Sequence, residues 1–143
     1  LIMGSNKDIK MSQKEIKVAL NKAIGLLSVD IQTEYENIAF TPTAGIPYQQ
    51  LHFLPAINAS IEITGPGAIH RGIYQITLKY PVNKGVNPPL DKAETIIKAF
   101  PKSRVLVEND TVVICELPVY RKLGVDGDRY IYAVSIEYKS YDL

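Results

Sequence analysis

The side chains that could perform acid–base, nucleophilic or metal chemistry are few and scattered along these 143 residues. Only two histidines occur: His52, on the polar side of a strand-like segment, and His70, beside Arg71. Neither has a nucleophile motif such as G-x-S-x-G to activate, nor a further ligand at the spacing of a metal site. The sequence therefore favours a protein without catalytic residues, metal or cofactor. His52 is interpreted as an ordinary surface or edge residue, whereas His70 is a candidate for a partner contact, because we predict it in a loop tip.

Two other motifs resemble ligand sites but are more typical of turns. Gly65-Pro-Gly67 is followed by a strand-like segment and not by the helix whose N-terminus would hold a phosphate, so we predict a hairpin tip there. Asp126 and Asp128 lack the further oxygen ligands and the distal Glu of a calcium-binding loop. The whole segment 120–129 is predicted to be a charged loop, either solvated or paired with a neighbouring subunit.

Composition excludes several other classes of protein. The 16 Lys and Arg residues against 15 Asp and Glu leave a net charge of +1, which argues against a duplex-DNA-binding protein. Nine tyrosines fall mainly on strand faces, where a core role is favoured over a stacking platform for single strands. No apolar run approaches the roughly 18 residues of a membrane span. Cys115, the single cysteine, lies in a strand-like run and is predicted to be a core residue that forms no intramolecular disulfide.

Two amphipathic helices are predicted. The first begins at a capping box, Ser12-Gln-Lys-Glu15, and continues for about four turns. Its apolar stripe consists of Ile16, Leu20, Ala23, Ile24 and Leu27. The second is predicted to have Asn87 as its N-cap, Pro88 at its first position and Pro101 beyond its end. Its apolar stripe consists of Leu90, Ala93, Ile97 and Phe100.

Strand-like segments with one apolar and one polar face make up most of the remaining chain. They cover residues 35–40, 49–54, 60–64, 71–80, 105–117 with a turn at 108–110, and 129–138. The predicted fold is α+β, a mixed, mostly antiparallel sheet with two amphipathic helices packed on one face. Residues 11–143 are predicted to form one domain. Residues 1–10 show no periodicity and are expected to be an expression remnant or a disordered N-terminus.

The order of several short motifs resembles the small phage tail terminator proteins. An N-x-x-F-x-P-x-x-G-x-P-Y stretch occupies residues 37–48, and R-G-x-Y-Q-I occupies 71–76. A P-x-x-x-G loop follows at 81–85, and the second helix ends at Phe100-Pro101. The resemblance covers about residues 12–142, because the closing strand at 132–138 also fits the pattern.

The resemblance implies a structural virion protein similar to the lambda-type terminator. Such a subunit forms a ring, a hexamer in this family, on the finished tail tube, halts tube polymerisation and offers a surface to the head. The implied partners are further copies of the chain, the tail tube protein and a head-completion or neck protein. Phage or prophage DNA would pass through the lumen without specific binding, and no membrane would be involved. The implied location is the virion, assembled in the bacterial cytoplasm.

No catalytic residues are implied by the resemblance, and the contacts are expected from loops at 41–47, 65–72, 83–88 and 121–129. The candidate assembly interface consists of His70, Arg71, Arg121, Lys122, Asp128 and Arg129. Two alternatives remain open at the level of sequence. One is a neck or head-completion protein that binds the portal side. The other is a small nucleic-acid-binding module that uses the basic residues of the same set.

Overall fold

The computed structural model describes residues 12–27, 29–56, 69–109 and 111–142. Two helices and seven strands are present in these ranges. In chain order they are α1 (Ser12–Leu27), β1 (Gln32–Glu34), β2 (Tyr48–Pro55), β3 (Ile69–Pro81), α2 (Asn87–Ala99), β4 (Val105–Glu108), β5 (Thr111–Cys115), β6 (Val119–Asp126) and β7 (Arg129–Asp142).

All seven strands belong to one sheet with the order β1-β2-β3-β7-β5-β4, and β6 pairs with β7 outside this path. The β1–β2 pair is parallel. The other pairs are antiparallel. The prediction of a mixed, mostly antiparallel sheet is therefore confirmed.

Strand β7 is the centre of this sheet. One of its edges pairs with β3 over the whole length of β3, from Pro81↔Arg129 to Ile69↔Tyr141. Its other edge is shared, because β6 pairs with residues 129–135 and β5 with residues 138–142. A single long strand thus carries three neighbours.

Both helices contribute to one core on the same face of the sheet, as predicted. Every residue of the predicted α1 stripe is buried or packed against that core. In α2 the prediction missed Ile96, which is fully buried, whereas Leu90 and Ile97 are only partly covered. The sheet side of the core is formed by alternate residues of the central strands, Tyr74, Ile76, Leu78, Val134, Ile136 and Tyr138.

Cys115 is a buried core residue at the end of β5, as predicted. Burial raises the pKa of its thiol to about 11, because the thiolate would lose its hydration. The nearby Arg104 opposes this shift without cancelling it. A protonated, enclosed thiol acts in packing and is a poor nucleophile.

The raised pKa of Cys115 predicts a loss of stability at alkaline pH. The unfolded chain releases this proton near its ordinary pKa of 9.0 and the folded chain only near 11. The stability that the buried thiol contributes is therefore fully present below pH 9 and is lost as the pH rises towards 11. Between pH 8 and pH 10, urea unfolding should show the native protein losing about 1 kcal/mol more than Cys115→Ala does. Parallel pH profiles of the two proteins would contradict this assignment.

Two local predictions are wrong. The segment 35–40 is not a strand: the strand comes earlier, at Gln32–Glu34, and Asn37 follows with a positive φ of 58°. The Ile38 N–H donates to the Tyr35 carbonyl at 3.3 Å, which closes a turn there. The N-cap of α2 is Val86, without a side-chain hydrogen bond, and Asn87 is the first helical residue. The predicted strand at 60–64 and the turn at 65–67 lie outside the described residues.

Candidate assembly surfaces

The segment predicted as a charged loop forms a β-hairpin with β7, so that prediction is wrong. Strand β6 pairs with β7 from Val119↔Ser135 to Asp126↔Arg129. The predicted turn around Asp128 is present: Gly127 adopts φ +62° at the first position of a two-residue connection, which is the position where a II′ turn needs glycine. All but one residue of β6 are exposed. The strand therefore lacks the alternation of buried and exposed residues from which strands are predicted.

Strand β6 exposes several large apolar side chains. Val119 is 58% exposed, Leu123 50% and Val125 66%. Leu123 lies where the register shifts between Lys122 and Gly124, a bulge in the strand. Apolar side chains grouped on an exposed strand are typical of a surface that contacts another protein.

The same strand carries two exposed cations, Arg121 and Lys122. Their side chains lie on opposite faces of the sheet, because successive residues of a strand alternate. Lys122 pairs in register with Tyr132, and Arg121 with Ala133. Strand β6 is therefore both basic and apolar.

Arg129, in contrast, is a buried anchor and only 6% exposed. Its guanidinium donates to the Thr43 carbonyl at 2.9 Å and to the Ile46 carbonyl, and it lies 4.9 Å from the centre of the Tyr48 ring. These contacts hold the 41–47 loop against the start of β7. Asp128, which is mostly exposed, lies 3.7 Å from the same guanidinium.

His70 lies on β3, paired with Ser140, and not in a loop tip, so that prediction is wrong; it and Arg71 lie away from the β6 hairpin. His70 is half-buried and Arg71 is exposed. Arg71 and Thr77 both lie in β3 and project from the same face of the sheet. Thr77 pairs with Ala133, which in turn pairs with Arg121, so Arg71 and Arg121 are about 20 Å apart in the direction of the strands. The structure therefore divides the six predicted interface residues into a hairpin group, a β3 group and the buried Arg129. Their role in assembly stays a prediction.

A second surface, which sequence reasoning missed, lies at the β1 edge. Glu34 accepts a hydrogen bond from Gln50 Nε2 at 2.8 Å, and the Glu36 carboxylate accepts one from the Phe53 N–H at 2.8 Å. Ile38 is 62% exposed beside them. A cavity of about 120 Å³ opens next to this edge; it is lined by Lys17, Asn21, Tyr35, Glu36, Ile38, Leu51 and Tyr74. The two acids on either side of Tyr35 were a signal for this surface, and the wrong strand assignment at 35–40 concealed it.

A third exposed apolar group lies on β4, at the end of the main strand order. Val105 is 54% exposed and Val107 60%. Glu108, in the same strand, forms an ion pair with Lys22 of α1 at 3.0 Å. Strand β4 is thus tied to the helix layer while its valines face outward.

The described residues contain no group of three or more His, Cys, Asp or Glu side chains that could hold a metal ion. His52 is half-buried on β2 and pairs in register with Gln75. Within the same described ranges, no helix is long and apolar enough to cross a membrane. The distinctive surfaces of this part of the chain are those of the three strands β1, β4 and β6.

Comparisons with known proteins agree with this description. A family model described as phage tail terminator protein matches residues 15–138. One solved structure superposes with a TM-score of 0.76 over 93% of this chain and 98% of its own, at 20% sequence identity. At that identity the likeness shows the fold alone. No curated protein matches the sequence.

Proposed function

The chain belongs to the phage tail terminator family, whose members are structural proteins of the phage tail, and we propose that it caps the completed tail tube as a ring. The ring stops polymerisation of the tube and provides the surface to which the head joins. The protein is then a component of the virion, which is assembled in the bacterial cytoplasm. It contributes surfaces and no chemistry.

The observation that carries this proposal is the extent of the family match. It runs from Glu15 in α1 to Tyr138 in β7 and so includes the helix layer and almost the whole sheet. The five motifs of the resemblance all lie within this range, so the likeness is not a local one. The whole described fold thus supports the proposed role.

The exposed surfaces support ring formation in particular. A ring made of identical copies needs two different surfaces on each copy, because head-to-tail contacts join unlike patches. The sheet has an acidic edge at β1 and a basic, apolar edge at β6. The β4 surface then remains for the tube or the neck protein. A hexameric ring, as the family resemblance implies, would let DNA pass through its lumen without specific binding.

A nucleic-acid-binding role has less support. Arg129 is one of its five proposed basic residues, and it is buried against backbone carbonyls. The others lie on separate parts of the sheet, whereas binding to a phosphate backbone needs cations grouped along one face.

The direct test is tube growth in vitro. Tail tube protein from the same phage should polymerise into shorter tubes when the chain is added, and electron microscopy should show a ring at tube ends. Tubes grown without the chain provide the length control. A chain that leaves tube length unchanged and does not bind tube ends would overturn the proposal. Capture by portal-side components in place of tube protein would instead identify a neck protein.

A further inference from the structure

We propose that neighbouring copies join edge to edge, with β6 of one copy antiparallel to β1 of the next and Arg121 opposite Glu34. This inference rests on the proposed ring and specifies its subunit contact. It follows from the register of the sheet, the direction of its strands and the charges at its two edges.

Glu34 and Arg121 lie at the two ends of one row of residues that pair in register across the sheet. Glu34 pairs with Gln50, and Gln50 with Thr77. Thr77 pairs with Ala133, and Ala133 with Arg121. The row therefore begins in a carboxylate at one edge and ends in a guanidinium at the other, about 19 Å away across four strand spacings.

The side chains of this row lie on one face of the sheet. Residues directly opposite each other in neighbouring strands project to the same side, and the Glu34–Gln50 hydrogen bond of 2.8 Å shows this at the β1 edge. The adjacent row contains Leu51 and Ile76, which belong to the core beneath the helices. Arg121 and Glu34 therefore project from the face opposite the helices.

The strand directions also fit. Strand β1 runs parallel to β2. Antiparallel pairs then link β2 to β3, β3 to β7 and β7 to β6, so β6 runs opposite to β1. A second copy that continues the sheet would meet β6 as an antiparallel partner.

Both edges are short, and in the proposed register they overlap at Thr33–Glu34 of β1 and Arg121–Lys122 of β6. Strand β1 has three residues, Gln32–Glu34. In β6 the regular ladder extends from Val119 to Lys122 and then breaks at the bulge. Bulges and cations on an edge strand discourage indiscriminate pairing, so this edge favours a short, acidic partner.

Charge and apolar surface are complementary at these edges. Arg121 and Lys122 form no ion pair within the described part of the chain. Across the proposed contact Arg121 lies opposite Glu34, and Lys122 lies opposite Thr33 on the other face of the sheet. Tyr120, which directly precedes Arg121 in β6, is 42% exposed. In the same register it lies opposite Tyr35, which is 37% exposed. Because each copy has one edge of each kind, the contact repeats and closes when its rotation divides the circle.

Disulfide trapping tests the register. Directly opposite Cβ atoms of an antiparallel pair are about 5 Å apart, close enough for a disulfide after slight adjustment. A mixture of Glu34→Cys and Arg121→Cys, with tube ends present, should give a covalent dimer that neither variant gives alone. The doubly substituted chain should give a ladder of linked subunits. Lys102→Cys, at an exposed turn, replaces Arg121→Cys in the control mixture and should give no dimer.

Charge reversal tests the energetics. Glu34→Arg and Arg121→Glu should each raise the protein concentration needed for assembly on the order of tenfold, and the doubly reversed chain should restore it. Lys102→Glu should leave it unchanged, and circular dichroism should show that all variants are folded. Absence of the mixed dimer, or unchanged assembly by Arg121→Glu, would overturn the contact. If Arg121→Glu still caps tubes, the inference fails and the proposed function stands. If linked rings form but do not stop tube growth, the proposed function fails and the contact stands.

Discussion

Replacement of Gly72 by alanine is expected to destabilise the protein by about 3 kcal/mol. Gly72 lies in β3 between Pro55 of β2 and Tyr138 of β7. A Cβ atom there would lie 2.7 Å from the Leu54 carbonyl oxygen and 2.7 Å from the Tyr138 ring, and would overlap the Tyr138 hydroxyl. Neither neighbour can withdraw freely, because one is backbone and the other is a buried ring stacked on Phe53. Urea unfolding of the folded fraction measures the loss.

Gly25 provides the matched control for this substitution. It lies in α1, and a Cβ atom added there meets nothing within 4 Å. Gly25→Ala should therefore stabilise the chain by about 0.5–1 kcal/mol, since alanine is the better helix former. A Gly72→Ala variant as stable as the parent would show that β2 and β7 can separate at this point. The glycine of the R-G-x-Y-Q-I motif would then have no packing role.

Replacement of Arg129 by alanine is expected to cost about 2–4 kcal/mol and to release the 41–47 loop. The substitution removes the guanidinium donor from the carbonyls of Thr43 and Ile46 and the cation from the Tyr48 ring. Hydrogen bonds from a charged donor contribute about 1.5–3 kcal/mol each, so the loss of two of them is costly. Thermal unfolding gives the loss of stability, and amide hydrogen exchange locates it.

Two further variants separate the contributions of Arg129. Arg129→Lys keeps the charge but cannot direct two donors to two carbonyls, so most of the loss should remain. Arg121→Ala removes an exposed arginine and should change the stability of the subunit by less than about 0.5 kcal/mol. If Arg129→Ala and Arg121→Ala were equally stable, Arg129 would not anchor the loop.

Periodic burial explains which elements could be predicted from the sequence. In α1 the spacing of Ile16, Leu20 and Ile24 indicates the face that the core covers. Both the helix and its apolar stripe could therefore be predicted. The same holds for β7, where Val134, Ile136 and Tyr138 of the core alternate with the half-buried Ser135 and the exposed Glu137. Such patterns exist because a neighbouring layer shields one face of the element.

Elements without such a covering layer escaped prediction. In β6 apolar and charged residues follow one another on both faces, because neither face is packed against a helix. The three residues of β1 are too short for any period, and their position depends on a parallel neighbour distant in sequence. The burial of Arg129 was also hidden, because its partners are carbonyls of a loop more than 80 residues away. Exposure makes edges available to other subunits and also removes the pattern that would reveal them.

The central place of β7 affects how the chain folds during synthesis. β7 is the last strand in chain order, yet β3, β5 and β6 all depend on it for pairing. Until it emerges from the ribosome, β3 has only one of its two neighbours and part of the sheet is an open template for aggregation. Because its pairing with β3 closes a long loop, we expect folding in milliseconds to seconds and not in microseconds. A stalled or truncated chain would therefore be the species that most needs a chaperone.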